Sequence, residues 1–281
     1  MQTIREIKRI HSFSRRLAAQ GITIGLVPTM GFLHEGHLSL IRRARKEADI
    51  VITTIFVNPA QFAPNEDLAK YPRDEKGDIR KIKSAGGDIV FIPKAEEIYP
   101  PDFQTWVTVE GLTNVLEGKA RPGHFRGVTT IVAKLFNITR PDVAVFGQKD
   151  LQQAIVLRQM TRDLGYSIKY IIAPTVREPD GLAMSSRNKY FDANGRQEAV
   201  CLYRALVTAK RMMRAGVVAT ARIEKEMRAV ILATCTSAKI EYIAFNDFNT
   251  LEMRKRVDHE VVCSLAVRVH GVRLIDNMRL G

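Results

Sequence analysis

Residues 22–37 read ITIGLVPTMGFLHEGH and run straight on into LSLIRRARKEAD at 38–49. The apolar, largely β-branched run at 22–27 predicts a strand that Pro28 ends. A loop carrying Gly31 follows, and a helical pattern opens at Gly36. A strand that hands a loop to a helix N-terminus is a ready anion site, because unpaired amides and the helix dipole face the ligand. His34 and His37 stand three apart at that mouth, where imidazoles can donate to phosphate oxygens and to charge developing on them. The stretch predicts a nucleotide-phosphate site at the end of a strand. Taken alone, the two histidines are just as readily ordinary, partly buried imidazoles.

Outward from this stretch, helical and apolar runs alternate. Ile4, Ile7, Ile10, Phe13 and Leu17 keep helical spacing up to Gly21. The run 50–57 is almost continuously apolar, as in a central parallel strand covered on both faces. It stops at Asn58-Pro59, and the loop after it carries Gln61. A polar helix at 74–85, a strand at 88–93, a short extended piece at 106–109 and a helix at 128–139 follow. A strand at 143–147, a helix at 150–164 and a strand at 167–173 complete the pattern. The alternation predicts an α/β fold, a Rossmann-like open parallel sheet with ligands beyond the carboxyl ends of its strands. The loops at 28–37, 58–61 and 147–150 all follow strands, so they can converge there.

The pattern changes near Pro174. Ala199, Leu202, Leu206, Ala209 and Met213 form one helical stripe, and Ile223, Met227, Val230 and Ile231 a second. Strands at 240–245, 261–269 and 272–275 follow. In the middle one, Val261, Cys263, Leu265, Val267 and Val269 share one face, with Ser264 and Arg268 on the other. The expected organisation is a domain over 1–174 and a smaller α+β domain over 175–281.

The 281 residues are 46% hydrophobic and 26% charged, the composition of a globular protein with a real core. No apolar run approaches the roughly 18 residues of a membrane span. The N-terminal stretch is charged throughout and lacks a secretory centre, so a cytoplasmic location is expected. Cys201, Cys235 and Cys263 form no C-x-x-C pair and read as reduced, buried thiols, not as a disulfide frame or zinc site. The net charge is +13, yet the basic residues are spread along the chain and only 7% of residues are aromatic. That favours a solvated surface attractive to polyphosphate over a nucleic-acid-binding face. A basic RNA-binding module is the rival reading from another class.

HEGH spaces its histidines i, i+3 and so lacks the i, i+4 geometry of the zinc protease motif, and neither a Walker A loop nor G-x-G-x-x-G after a strand is present. GLAMSSRN at 181–188 puts two hydroxyls and Arg187 in a glycine-led loop. It is a turn with a cap in its plain reading, or a mobile phosphate clamp. FGQKD at 146–150 ends a strand with Gly147 and presents Lys149 and Asp150.

PTMGFLHEGH, FVNPAQF, YPRD, EGKARPGHFRGVTTIVAKLFN, FGQKDLQQ, DGLAMSSRN and VRLIDNM occur in that order, and together they resemble the pantoate–β-alanine ligase family. H-x-G-H alone would mark only the wider nucleotidyltransferase superfamily, whose other members are the enzyme rival. The resemblance implies a two-step ligation in the cytoplasm. ATP and pantoate give pantoyl adenylate and pyrophosphate with Mg²⁺, and the β-alanine amine then displaces AMP. It further implies a homodimer, with the C-terminal domain as a lid.

Residue by residue, the resemblance implies that Met30, Gly31, Phe32, Leu33, His34, Glu35, Gly36 and His37 hold ATP. His34 and His37 would bond the phosphates, with His37 the catalytic acid. Gly147 and Asp150 would meet the ribose, Gln148 would also bind ATP, Lys149 would act on the phosphates, and Val176 would border the adenine. Met184, Ser185, Ser186 and Arg187 would close over the triphosphate. Gln61 and Gln153 would orient pantoate, Gln61 also lying near β-alanine, and Asp78 would contact Mg²⁺. Phe32 departs from the family's smaller residue at that position, and 240–260 follow the family only loosely.

Overall fold

The computed structural model describes residues 1–63, 66, 68–258 and 260–281. They divide into two compact units, Met1–Gly147 with Gln153–Pro174, and Gln148–Gln152 with Thr175–Gly281. The sequence reading put all of 1–174 in one domain; the short segment after the fifth strand instead belongs with the second unit.

The first unit runs β1 (Gln2–Ile4), α1 (Ile7–Ala19), β2 (Ile24–Val27), α2 (Glu35–Arg45), β3 (Ile50–Thr54), α3 (Glu75–Ser84) and β4 (Ile89–Phe91). Two short helices, α4 (Ala95–Ile98) and α5 (Leu116–Ala120), precede α6 (His124–Thr139), β5 (Val143–Gly147), α7 (Leu151–Asp163) and β6 (Lys169–Ala173). The strands form one parallel sheet in the order β1-β4-β3-β2-β5-β6. From β2 the chain steps one way to β3 and β4, then returns to add β5 and β6 on the other side. The order therefore reverses between β2 and β5, where open α/β sheets leave a crevice at the carboxyl edge.

Both sheet faces are covered, which explains the unbroken apolar strands. In β5, Ala144 and Phe146 join a core that includes Ile10 and Leu17 of α1, Leu135 of α6 and Leu157 of α7. Val143 and Val145 join the opposite core with Ile41 and Ala44 of α2 and Ile82 of α3. Each such fully buried branched side chain contributes about 1.5–3 kcal/mol.

Strand β1 escaped the sequence reading, which placed Ile4 in the first helical stripe. Ile4 pairs with Phe91 at the sheet edge and is buried. A three-residue strand with one inward side chain is too short to show its period. The extended piece at 106–109 does not enter the sheet. The Val107 amide donates to Thr130 Oγ1 at 3.0 Å and its carbonyl accepts from Thr129 Oγ1 at 2.6 Å, so α6 side chains take up its backbone groups.

In the second unit, single 3₁₀ turns at Gln148–Asp150 and Ser186–Tyr190 accompany α8 (Ala193–Glu198), α9 (Cys201–Arg214) and α10 (Thr220–Thr234). An antiparallel sheet of β7 (Lys239–Asp247), β8 (Val261–Val269) and β9 (Val272–Arg279) follows. Leu202, Leu206 and Ala209 of α9 pack with Ile223, Met227 and Ile231 of α10 against the inward face of β8. Met213 and Val230, expected inward, are half-buried at that core's margin. On the other face of β8, Ser264 and Ala266 are buried too, and Arg268 alone of the three is exposed. All three cysteines are free and buried. No described helix is long and apolar enough to cross a membrane.

Candidate active site

The loop leaving β2 is fastened before it reaches its histidines. Thr29 Oγ1 donates to the Thr54 carbonyl at 2.6 Å and accepts from the Gly31 amide at 3.2 Å, tying the loop to the end of β3. Gly31 (φ +83°) and Phe32 (φ +52°) then turn through the left-handed region. A Cβ at Gly31 would meet Ile55 at 3.0 Å and Asp78 at 3.1 Å, so this position suits glycine on two counts.

That reversal aims two consecutive amides at α3. Phe32 N–H donates to Asp78 Oδ2 and Leu33 N–H to Asp78 Oδ1, each at 2.7 Å. Lys81 Nζ donates to the Leu33 carbonyl at 2.8 Å. Asp78 is 1% exposed. Burial pushes its carboxyl up and the two amides oppose the shift. Both oxygens of the residue expected to contact Mg²⁺ are thus engaged in holding the loop. That geometry describes an anchor and fits a metal ligand poorly.

The loop delivers His34 as the N-cap of α2 in extended conformation. His37, three residues into the helix, accepts the His34 amide on Nδ1 at 3.3 Å, and the two rings lie 4.1 Å apart between centroids. With Nδ1 accepting, the proton of neutral His37 sits on Nε2, which makes that atom a donor. The first helical amides, those of Glu35 and Gly36, have no intrahelical acceptor by construction. The Glu35 carboxylate is taken by Arg42 on the helix flank, and that ion pair holds its pKa down.

Gln61 sits on a 3₁₀ turn, Pro59–Gln61, capped by buried Asn58. Asn58 Nδ2 donates to Gln61 Oε1 at 3.2 Å and to the Gly127 carbonyl at 3.1 Å, and its Oδ1 accepts from Tyr99 Oη at 2.8 Å. Gln61 Nε2 reaches Met30 Sδ at 2.9 Å, which joins the glutamine to the β2 loop. The Gln61 carbonyl contacts His124 Nδ1 at 2.9 Å and Arg121 at 3.4 Å. Burial, then the Arg121 charge, pushes His124 down to about 4, so its ring is neutral near pH 7. A Cβ on Gly127 would lie 2.2 Å from the Ala60 carbonyl, so α6 can seat this turn only through glycine. A cavity of about 280 Å³ opens beside Gln61, bordered by Phe62, Trp106, Arg121, His124 and Arg126. Gln153 stands half-buried on the first turn of α7.

Gly147 ends β5 in the first unit, and the second unit holds the remaining sequence candidates. Asn277 Nδ2 donates to the Gln148 and Lys149 carbonyls at 2.9 and 3.0 Å, and its Oδ1 accepts from Gln148 Nε2 at 3.2 Å. Lys149 Nζ lies 3.5 Å from Asp150 Oδ1. Nearby in sequence to this unit's start, the Met184 amide donates to the Val176 carbonyl at 3.0 Å, closing a narrow loop. Arg177 stiffens that loop, pairing with both oxygens of buried Asp276 at 2.7 and 3.0 Å and donating to the Gly181 carbonyl at 3.0 Å. Ser185 caps the 3₁₀ turn by accepting from the Arg187 amide, and Ser186 is buried.

The structure joins His34 to His37, Met30 to Gln61, and Val176 to Met184. Sequence reasoning missed the supports: Asn58, Arg121, His124, Gly127, Arg177 and Asn277. Their signal was faint, since Asn-Pro before a turn is a cap pattern, while the partners lie about 40–130 positions away.

A parallel sheet that sends a histidine-capped helix and a glutamine turn from its carboxyl edge, with a small α+β unit after it, is the architecture of a nucleotide-binding α/β protein. The pantoate-beta-alanine ligase family profile matches residues 2–279. Pantothenate synthetase from Moorella thermoacetica is 50% identical over 280 residues, covering 100% of this chain and 99% of that protein. The one from Thermotoga petrophila is 48% identical over 281 residues, covering both chains in full. The crystal structure of pantothenate synthetase from Thermus thermophilus superposes with a TM-score of 0.94 at 41% identity, over 100% of this chain and 99% of that one. Pantoate-beta-alanine ligase from Francisella tularensis, complexed with beta-gamma ATP and beta-alanine, gives 0.81 at 36%, over 100% and 98%. The chain belongs to the pantoate–β-alanine ligase family.

Proposed function

We propose that the chain condenses pantoate with β-alanine through a pantoyl adenylate, consuming ATP and releasing AMP and pyrophosphate. Family membership supports the overall reaction, and the complex of the Francisella relative supports ATP and β-alanine as ligands. The observation that carries the assignment of roles is the His37 ring. Its Nδ1 accepts the His34 amide, so the proton of the neutral ring is carried on Nε2, at a helix N-terminus.

In this reading residues 30–37 bind ATP, and His34 and His37 stabilise charge on the phosphoryl oxygens as the pantoate carboxylate attacks the α-phosphorus. Glu35 takes part only through its backbone. Gln61 and Gln153 bond pantoate without the over-strong grip of a salt bridge. Lys149 neutralises the departing pyrophosphate, with Gly147, Gln148, Asp150 and Val176 serving the nucleoside and Met184, Ser185, Ser186 and Arg187 the triphosphate. The second unit acts as the lid that keeps water from the adenylate. Mg²⁺ would enter bound to ATP and offset phosphate charge, and Asp78 is assigned to the loop and not to the ion. A homodimer acting in the cytoplasm completes the proposal. Light scattering should give about twice the chain's 31.6 kDa, and cell fractionation should recover the activity in the soluble fraction.

The test is exchange of labelled pyrophosphate into ATP without β-alanine. It should require pantoate, and His37→Ala or Lys149→Ala should reduce it at least about 100-fold, the scale of losing one charge-stabilising group. Exchange that ignores pantoate sinks the adenylate reading, and near-wild-type exchange in either variant removes that residue from the chemistry.

A further inference from the structure

Away from the residues assigned above, Glu198, Cys235 and His270 bring three different metal-ligating side chains together. One carboxylate oxygen, the thiol sulfur and a ring nitrogen all lie within 4.8 Å of one another. We propose that these residues form a binding site for a thiophilic divalent cation of the zinc class, a structural clip within the second unit.

The three ligands come from separate elements. Glu198 is the last residue of α8, Cys235 is the C-cap of α10, and His270 lies in the turn joining β8 to β9. His270 Nε2 stands 2.9 Å from Glu198 Oε2. In a tetrahedral zinc site with bonds of about 2.0–2.3 Å, neighbouring donor atoms sit about 3.3–3.8 Å apart. Small side-chain movements therefore bring all three to ligating distance. A water or the Ser237 hydroxyl, 3.4 Å from the Cys235 sulfur, can supply the fourth position.

Charge and softness select the ion. A thiolate and a carboxylate together balance a divalent cation, so the buried sulfur is not left beside uncompensated charge. Sulfur with imidazole favours zinc-class metals over magnesium or calcium, which take oxygen ligands. Cys235 is 1% exposed, whereas the His270 side chain is partly open to solvent and gives the ion a way in.

The turn sets where the imidazole stands. Val269 pairs with Val272, and the two residues between them, His270 and Gly271, have φ of +46° and +82°. Two-residue hairpins of this kind favour Asn-Gly, because asparagine tolerates the left-handed region better than most side chains. The chain places a histidine there, another side chain enriched in that region, and its ring faces Glu198.

The experiment uses the full chain, stripped of metal and kept in a non-thiol reductant, with Co²⁺ as the spectroscopic probe. Titration should give one equivalent bound, with thiolate-to-cobalt charge transfer in the near ultraviolet and the visible bands of tetrahedral cobalt, both removed by Zn²⁺. Cys235→Ser should abolish the charge transfer. His270→Asn should weaken binding by about 100-fold or more, at least the loss seen when an outer-shell partner is removed. Asparagine suits the turn, so this variant keeps its fold and its metal-free melting temperature, and it reads the site even if the cysteine variant fails to fold. Three results would each overturn the proposal: no charge transfer at one equivalent, a band that survives Cys235→Ser, or wild-type affinity in His270→Asn. Cobalt held by His34 and His37 would lack the sulfur band and counts against the proposal. The outcome is independent of the ligase reading, since none of the three residues has a role in it.

Discussion

Replacing Asp78 by asparagine separates two roles for one carboxylate. In the structure it is almost fully buried and accepts two amides, from Phe32 and Leu33, at 2.7 Å each. Asparagine is isosteric, so no cavity forms, but it offers one oxygen and one NH₂ group. One amide keeps an acceptor, and the other faces a donor. An unsatisfied buried donor costs about 1–3 kcal/mol, and losing the charge weakens the bond that survives. Burial raises the Asp78 pKa, so removing the charge returns part of that cost. The net expectation is about 2–3 kcal/mol, concentrated in the loop. Since about 1.4 kcal/mol is tenfold, amide hydrogen exchange across 28–37 should accelerate about 30- to 140-fold. Pantoate-dependent pyrophosphate exchange should fall with it, and added Mg²⁺ should not restore it. A variant with unchanged loop protection, whose activity recovers as Mg²⁺ is raised, would refute the anchor and reinstate Asp78 as a metal contact.

Gly127→Ala drives a methyl to 2.2 Å from the Ala60 carbonyl. Overpacking of this kind costs about 1–3 kcal/mol, so the melting temperature should drop and the KM for pantoate rise through displacement of Gln61; an unchanged KM would unlink the turn from the substrate. His124, pushed down to about 4, is neutral in the fold but takes a proton near pH 6.5 when unfolded. Its contribution is therefore complete above about pH 6.5 and is lost as pH falls toward 4, at most about 3 kcal/mol. His124→Gln should flatten that part of the stability–pH curve, and an identical curve would show that His124 is not the source. Asn277→Ala strips the Gln148 and Lys149 carbonyls of their shared donor. Pyrophosphate exchange should slow although the β9 backbone is intact, and wild-type exchange would free Lys149 from that support.

Much of the fold is legible in local pattern. The strands at 50–54, 89–91, 143–147 and 169–173 announce themselves because a parallel sheet covered on both faces needs continuous apolar runs. The motif HEGH marks a helix start wherever the chain goes, since capping is a matter of neighbours three residues apart. Ile4 was misplaced because one buried side chain carries no period. The burial of Ser264 was not legible, because a strand's alternation says nothing about what covers its second face.

The sequence by itself determined the α/β class, the change of architecture near Pro174 and the histidine-bearing loop, all properties of residues close together in the chain. Only the tertiary structure decided what holds those residues in place. Asp78 under the 31–33 turn, Gly127 beneath Gln61, Asn277 on the Lys149 backbone, and the meeting of Glu198, Cys235 and His270 join positions about 35–130 residues apart. Such pairings arise from sheet order and helix packing. A carboxylate that grips two amides and one that faces solvent look the same in a sequence, and burial alone tells them apart.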